Sequence, residues 1–128
     1  MRISSNFDDF KKFRAALARI DKFKVHSALH SALNSTASQL IPIIKSFTPV
    51  KTGLLKSSWN FEILDGLASA TLVIYNKTYY SPFVEFGHFS RSGTWVRGFF
   101  MLTKGVQNAE EILKKELKRE IEKIIKNN

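Results

Sequence analysis

The chain has 128 residues, of which 44% are hydrophobic, and a formal net charge of +9. That length suits one domain with a single core, and that apolar content excludes wholesale disorder. Cysteine is absent, which excludes a disulfide framework, a thiolate nucleophile and a cysteine-based zinc site.

No apolar run approaches the roughly 20 residues of a membrane span, and Met1–Asp9 lacks the apolar core of a signal peptide. The expectation is a protein without membrane contact, made in a cytoplasm. Residues 1–60 carry ten Lys/Arg against three Asp/Glu, a balance of +7. Such an excess is either a solvated helix face or a footprint for an anionic partner.

Phe7, Phe10, Phe13, Leu17, Ile20 and Phe23 recur every three or four residues, which predicts an amphipathic helix over residues 7–23. Asn6 or Ser5 suits its N-cap, and residues 1–24 are read as a peripheral helix ahead of a core spanning 25–128. A second helix is expected over Val25–Ser46, with Pro42 kinking it or breaking it near Gln39–Ile41. His26 and His30 stand at i, i+4 on it, a spacing that can chelate a metal. With no third ligand near them in sequence they are read as surface or half-buried histidines, and no metal or cofactor is expected.

Thr48–Gly53 should be a loop with a sharp turn at Gly53. From Leu54 to Leu64 the period shortens to two, so Leu55, Ser57, Trp59, Phe61 and Ile63 are predicted on one face of a strand. Asp65-Gly66 signals a hairpin into the β-branched run Ala70–Tyr75. Ser81–Gly87 reads as one helical turn with Ser81 capping, Pro82 at its first position and Gly87 as its stop. Tyr80, Phe83 and Phe86 are expected to anchor that turn to the sheet and the last helix. His88–Thr94 should be an exposed, mobile loop, and Trp95–Val96 a short strand. Beyond Gly98 the chain should be helical to near its end, with an irregularity at Gly105, which costs about 1 kcal/mol relative to alanine. The fold class is α+β, in one domain: N-terminal helices and a long C-terminal helix packed on a small antiparallel sheet.

Chemistry is sparse. There is no phosphate loop, His-Glu-x-x-His motif or nucleophile elbow. Glu85 and His88, set among aromatic rings, are the one acid–base pair close in sequence. A dyad without a nucleophile, metal or pocket is weak, and the plainer role for Glu85 is to cap a backbone turn or pair with Arg91 or Arg97. No enzyme is expected. Basic residues interleaved with Phe, Tyr and Trp leave a nucleic-acid-binding module as the alternative.

Two segments carry a resemblance. Thr48-Pro49-Val50-Lys51-Thr52-Gly53-Leu54-Leu55-Lys56-Ser57-Ser58 resembles the Pro-Val-Asp-Thr-Gly-x-Leu-Arg-x-Ser segment of small phage head–tail joining proteins. Tyr80-Ser81-Pro82-Phe83-Val84-Glu85-Phe86-Gly87-His88 is similar to their Tyr-Ala-x-Tyr-Val-Glu-Phe-Gly signature, and Trp95–Leu102 to the element that begins their last helix. The resemblance spans roughly residues 25–126. It departs at Lys51, where Asp is usual, and at Phe83, where Tyr is common.

It implies a structural virion protein of the neck or tail-completion type, in the host bacterial cytoplasm before assembly. It implies a homo-oligomeric ring, sixfold or twelvefold, between portal-side connector and tail proteins and close to DNA. Pro49, Thr52, Gly53, Leu55, Tyr80, Pro82, Glu85, Phe86 and Gly87 are the motif residues. The candidate assembly contacts are His88, Phe89, Arg91, Trp95 and Arg97.

Overall fold

The computed structural model describes residues 22–67 and 69–126. The helix expected over residues 7–23 lies outside them, apart from Lys22 and Phe23. Those two belong to the first described helix, α1 (Lys22–Ser46), so no break separates them from Val25.

The first hairpin and the last two helices are laid on α1. Its buried positions are Ala28, Ala32, Leu33, Thr36, Ala37, Leu40 and Ile44, a stripe of mostly small residues that lets neighbours come close. Thr36 Oγ1 donates to the Ala32 carbonyl at 2.7 Å, so its buried hydroxyl is satisfied. The expected break near Gln39–Ile41 is absent, and α1 runs through Pro42. Pro42 denies the Ser38 carbonyl its helical donor, but both residues are exposed, so water can take the vacant place.

The loop after α1 turns at Gly53, whose φ is +82°. A helical turn then follows, α2 (Leu54–Ser57), where a strand was expected. Four residues cannot distinguish period two from the start of a helix. The serines decide locally: Ser57 and Ser58 both donate their hydroxyls to the Leu54 carbonyl, at 3.1 and 2.6 Å. A Cβ at Gly53 would meet nothing within 4 Å, so only backbone conformation opposes a side chain there. Gly53→Val is expected to destabilise the fold by about 1–2 kcal/mol, the cost of a β-branched residue in the left-handed region. Unchanged thermal melting would show that the turn relaxes freely.

The strand expected from Leu54 begins at Trp59. Strands β1 (Trp59–Asp65) and β2 (Ala70–Asn76) form an antiparallel pair in which Trp59 faces Asn76 and Asp65 faces Ala70. Trp59, Phe61 and Ile63 turn inward while Asn60 and Glu62 are exposed, as their alternation predicts. Asp65-Gly66 opens a longer connection, closed by a hydrogen bond from the Gly66 amide to the Ser69 carbonyl.

Helix α3 (Ser81–Phe86) leads directly into β3 (Gly87–Phe89), which pairs antiparallel with β4 (Trp95–Arg97). The loop expected over His88–Thr94 is thus a hairpin. Its turn is held by Ser90 amide to Thr94 carbonyl and Gly93 amide to Ser90 carbonyl, at 2.8 and 2.9 Å. Three-residue strands are too short to leave a period in the sequence. Helix α4 (Met101–Gly105) and helix α5 (Ala109–Lys126) follow, so the expected final helix is interrupted beside Gly105. There the chain presses on α1: a Cβ on Gly105 would lie 2.9 Å from the Ile44 Cα.

The architecture is α+β. α1 packs against α5, α4 and both strands of the first hairpin. Gln39 Nε2 donates to the buried Glu116 carboxylate at 2.9 Å, tying α1 to α5. The core is Leu40, Ile44, Leu55, Trp59 and Met101, with Ile74, Tyr80, Val84 and Leu102 against it. Complete burial of Leu40, Ile44 and Met101 is worth about 2 kcal/mol each. Trp59 Nε1 donates to Thr48 Oγ1 at 2.9 Å, and that hydroxyl donates to the Ile44 carbonyl at 2.8 Å. Among the described residues no helix is long and apolar enough to cross a membrane.

Candidate functional site

The site is built around Glu85. Its side chain is buried, and its carboxylate accepts from the Leu102 amide at 2.8 Å, the Thr103 amide at 3.2 Å and the Thr103 hydroxyl at 2.8 Å. These amides stand at the start of α4, where no helical acceptor exists. The backbone repeats the tie: Phe99 N–H donates to the Val84 carbonyl and Phe100 N–H to the Glu85 carbonyl, at 2.8 and 3.0 Å. Phe100 takes φ +50° to fit this path, an unusual conformation for a bulky residue. Glu85 is therefore the cap of a backbone turn, and it makes no ion pair with Arg91 or Arg97.

His88 takes a different partner, with Nδ1 3.4 Å from the Phe83 carbonyl. The suspected acid–base pair is thus divided between two structural tasks. His26 and His30 share a carboxylate that the sequence left distant: Asp65 at the end of β1, with nitrogen–oxygen distances of 3.2 and 3.9 Å. Among the described residues no group of three or more His, Cys, Asp or Glu is placed to hold a metal ion.

α3 does not sit as expected. Tyr80 is its N-cap, and Ser81 donates its hydroxyl backwards to the Thr78 carbonyl at 3.0 Å. Tyr80 and Val84 pack on the core, but Phe83 and Phe86 are 54% and 63% exposed and anchor nothing. The helix is held by its carboxylate and backbone, which frees two rings for the surface. At the following hairpin, Phe89 and Trp95 pack edge to face, 5.0 Å between centroids, and both remain exposed.

Between the Pro49–Leu55 loop and β4 lies a predominantly apolar groove of about 440 Å³. Pro49, Thr52, Gly53 and Leu55 contribute one wall, Tyr80, Phe83 and His88 another, and Val96, Arg97 and Phe99 the third. The two sequence motifs, separated by more than twenty residues, meet here. Pro82, Glu85 and Phe86 line a smaller depression on the other side of α3. Of the expected contact residues, His88 and Arg97 line the groove, while Phe89, Trp95 and Arg91 sit on the hairpin beyond it. Sequence reasoning missed Val50 and Phe99 as groove residues. An apolar side chain within a Pro- and Gly-punctuated loop was the available signal.

The family model described as "Bacteriophage HK97-gp10, putative tail-component" matches residues 11–87. The chain belongs to this HK97-gp10-like family. Its match contains both motifs and stops at Gly87, before the Trp95–Leu102 element; it also takes in part of the N-terminal stretch that departs most from the resemblance. No curated protein and no solved structure matches the chain. Membership makes this HK97-gp10-like chain a phage structural protein of the virion, acting through other virion proteins.

Proposed function

We propose that the protein completes the head–tail junction of a long-tailed phage, as a neck or tail-completion component that closes into a ring by subunit contacts. The observation that carries this reading is the rigid presentation of exposed rings. Buried bonds from Glu85 hold α3, the β3–β4 hairpin and α4 together, while Phe89, Trp95 and Phe83 remain exposed. Exposed apolar rings on a braced support are what a protein contact requires. Of the expected contacts, Phe89, Arg91 and Trp95 on the hairpin supply the contact between subunits, while His88 and Arg97 face the groove beside it. A head-to-tail interface of this kind makes rings when its rotation closes. Such a ring would surround the path of the DNA, which suits the basic balance.

The test is particle assembly. Deleting the gene should leave separate heads and tails in electron micrographs of lysates, and complete virions without the protein would refute the reading. The double variant Arg91→Glu/Trp95→Ala should fail to restore joined particles while melting within about 0.5 kcal/mol of the parent, because both side chains are exposed.

A further inference from the structure

We propose that the groove between the Pro49–Leu55 loop and β4 binds an acidic, apolar segment of a neighbouring virion protein that is not a copy of this chain. The inference rests on the assembly reading above and names the chemistry of one partner.

The groove is a concave apolar surface with one sign of charge at its edge. Val50, Leu54, Phe83 and Phe99 are exposed around it. Lys51, His88 and Arg97 line it, and none of these three makes an ion pair among the described residues. Between Lys22 and Ala109 the carboxylates are Glu62, Asp65 and Glu85. Glu85 is buried and fully used by its three hydrogen bonds. Asp65 is paired with His26, about 30 Å along α1 from Ser46 at 1.5 Å per residue. Glu62 lies on β1, and no carboxylate is among the residues that line the groove. A partner that covers the apolar floor must also face the Lys51 and Arg97 cations in a poorly hydrated setting, where complementary charge selects the ligand.

A second copy is a poor candidate, because it brings its own net charge of +9 and its exposed acids are scattered, Glu62 and Asp65 on β1 and Glu111 and Glu122 among the Lys and Arg of α5. Nucleic acid is disfavoured by the sparse charge of the groove. A strand-tracking site needs a run of cations along the backbone, whereas the groove offers Lys51 and Arg97 on a mainly apolar floor.

The test uses the full chain and three fluorescent probes: a short peptide alternating Glu with Leu and Phe, the same peptide with Lys for Glu, and an oligothymidylate. Anisotropy should show saturable binding of the acidic peptide, weakened by salt, and little binding of the other two. Lys51→Glu and Val50→Asp should each weaken it about tenfold. Lys118→Glu, the same charge change on α5, should leave it unchanged.

Equal binding of both peptides, preference for the oligothymidylate, or an equal loss in Lys118→Glu would overturn the proposal. So would self-association that Val50→Asp abolishes, since the groove would then belong to a second copy. Failure of peptide binding with unjoined particles in the deletion strain removes only the groove assignment. Complete virions in that strain remove the assembly reading whatever the peptide does.

Discussion

Glu85→Ala is expected to cost the fold about 3 kcal/mol, seen as a fall in melting temperature of roughly 10 °C for a domain of this size. The carboxylate reaches across seventeen residues of sequence to the first turn of α4 and takes up two backbone amides and one hydroxyl. Alanine removes all three acceptors and leaves the Leu102 and Thr103 amides without partners in a part-buried position. Each such loss costs about 1–3 kcal/mol, with partial relief where water can enter. Two variants separate the components. Thr103→Val deletes only the hydroxyl bond and should cost about 1 kcal/mol. Glu85→Gln keeps a carbonyl acceptor and should fall between the two. Amide exchange reads the mechanism directly, because Leu102 and Thr103 should lose protection before the core of α1 does. An alanine variant that melts like the parent, with those amides still protected, would show that α4 forms without its cap.

The same residue illustrates what the sequence could and could not reveal. Its apolar surroundings suggested either a perturbed acid or a cap, and nothing in the local pattern chose between them. The choice depends on Leu102 and Thr103, which only the chain path brings close. α1, β1 and α5 were legible because each repeats its period over seven or more residues, and β2 because its run is β-branched. α2 and β3 were not, because three or four residues hold too little of any period and their state is set by neighbours; β4 was expected over Trp95–Val96, but without its partner strand. Ser57 and Ser58 bonding back to Leu54, and the Ser90–Thr94 turn, are local interactions that side-chain hydropathy does not record.

Phe83 and Phe86 show the opposite error. Helical spacing and ring size argued for burial, yet Tyr80 and Val84 occupy the core side of α3. Gly53 was read correctly because a Pro-x-x-Thr-Gly turn demands positive φ, which is a property of the backbone alone. The groove was illegible in outline, since its walls come from the loop before α2, from α3 and from β4. Its two motifs were visible separately, and their meeting was not.

Gly98→Ala should be as damaging as the loss of Glu85, for a purely steric reason. A Cβ at Gly98 would lie 2.5 Å from the Glu85 carbonyl oxygen, 2.6 Å from the Phe86 carbonyl carbon and 2.8 Å from the Gly87 nitrogen. All three are backbone atoms, so no side-chain rotation relieves the clash. Relief requires the strand after Val96 to move away from α3, which breaks the Phe99 and Phe100 amide bonds to Val84 and Glu85. The expected cost is about 3 kcal/mol, at the upper end for overpacking by one methyl group. Gly93→Ala is the control. Gly93 has φ +83° but open space around its missing Cβ, so alanine there should cost only about 1 kcal/mol. The two alanines also differ in what they do to the groove. Gly98→Ala displaces Arg97 and Phe99 from its wall and should abolish acidic-peptide binding even below the melting transition. Gly93→Ala lies at the far end of the hairpin and should leave binding intact. Equal stability losses in the two variants would mean that backbone conformation, and not the close approach of β4 to α3, sets the cost. Retained peptide binding in Gly98→Ala would mean that the groove does not need that approach.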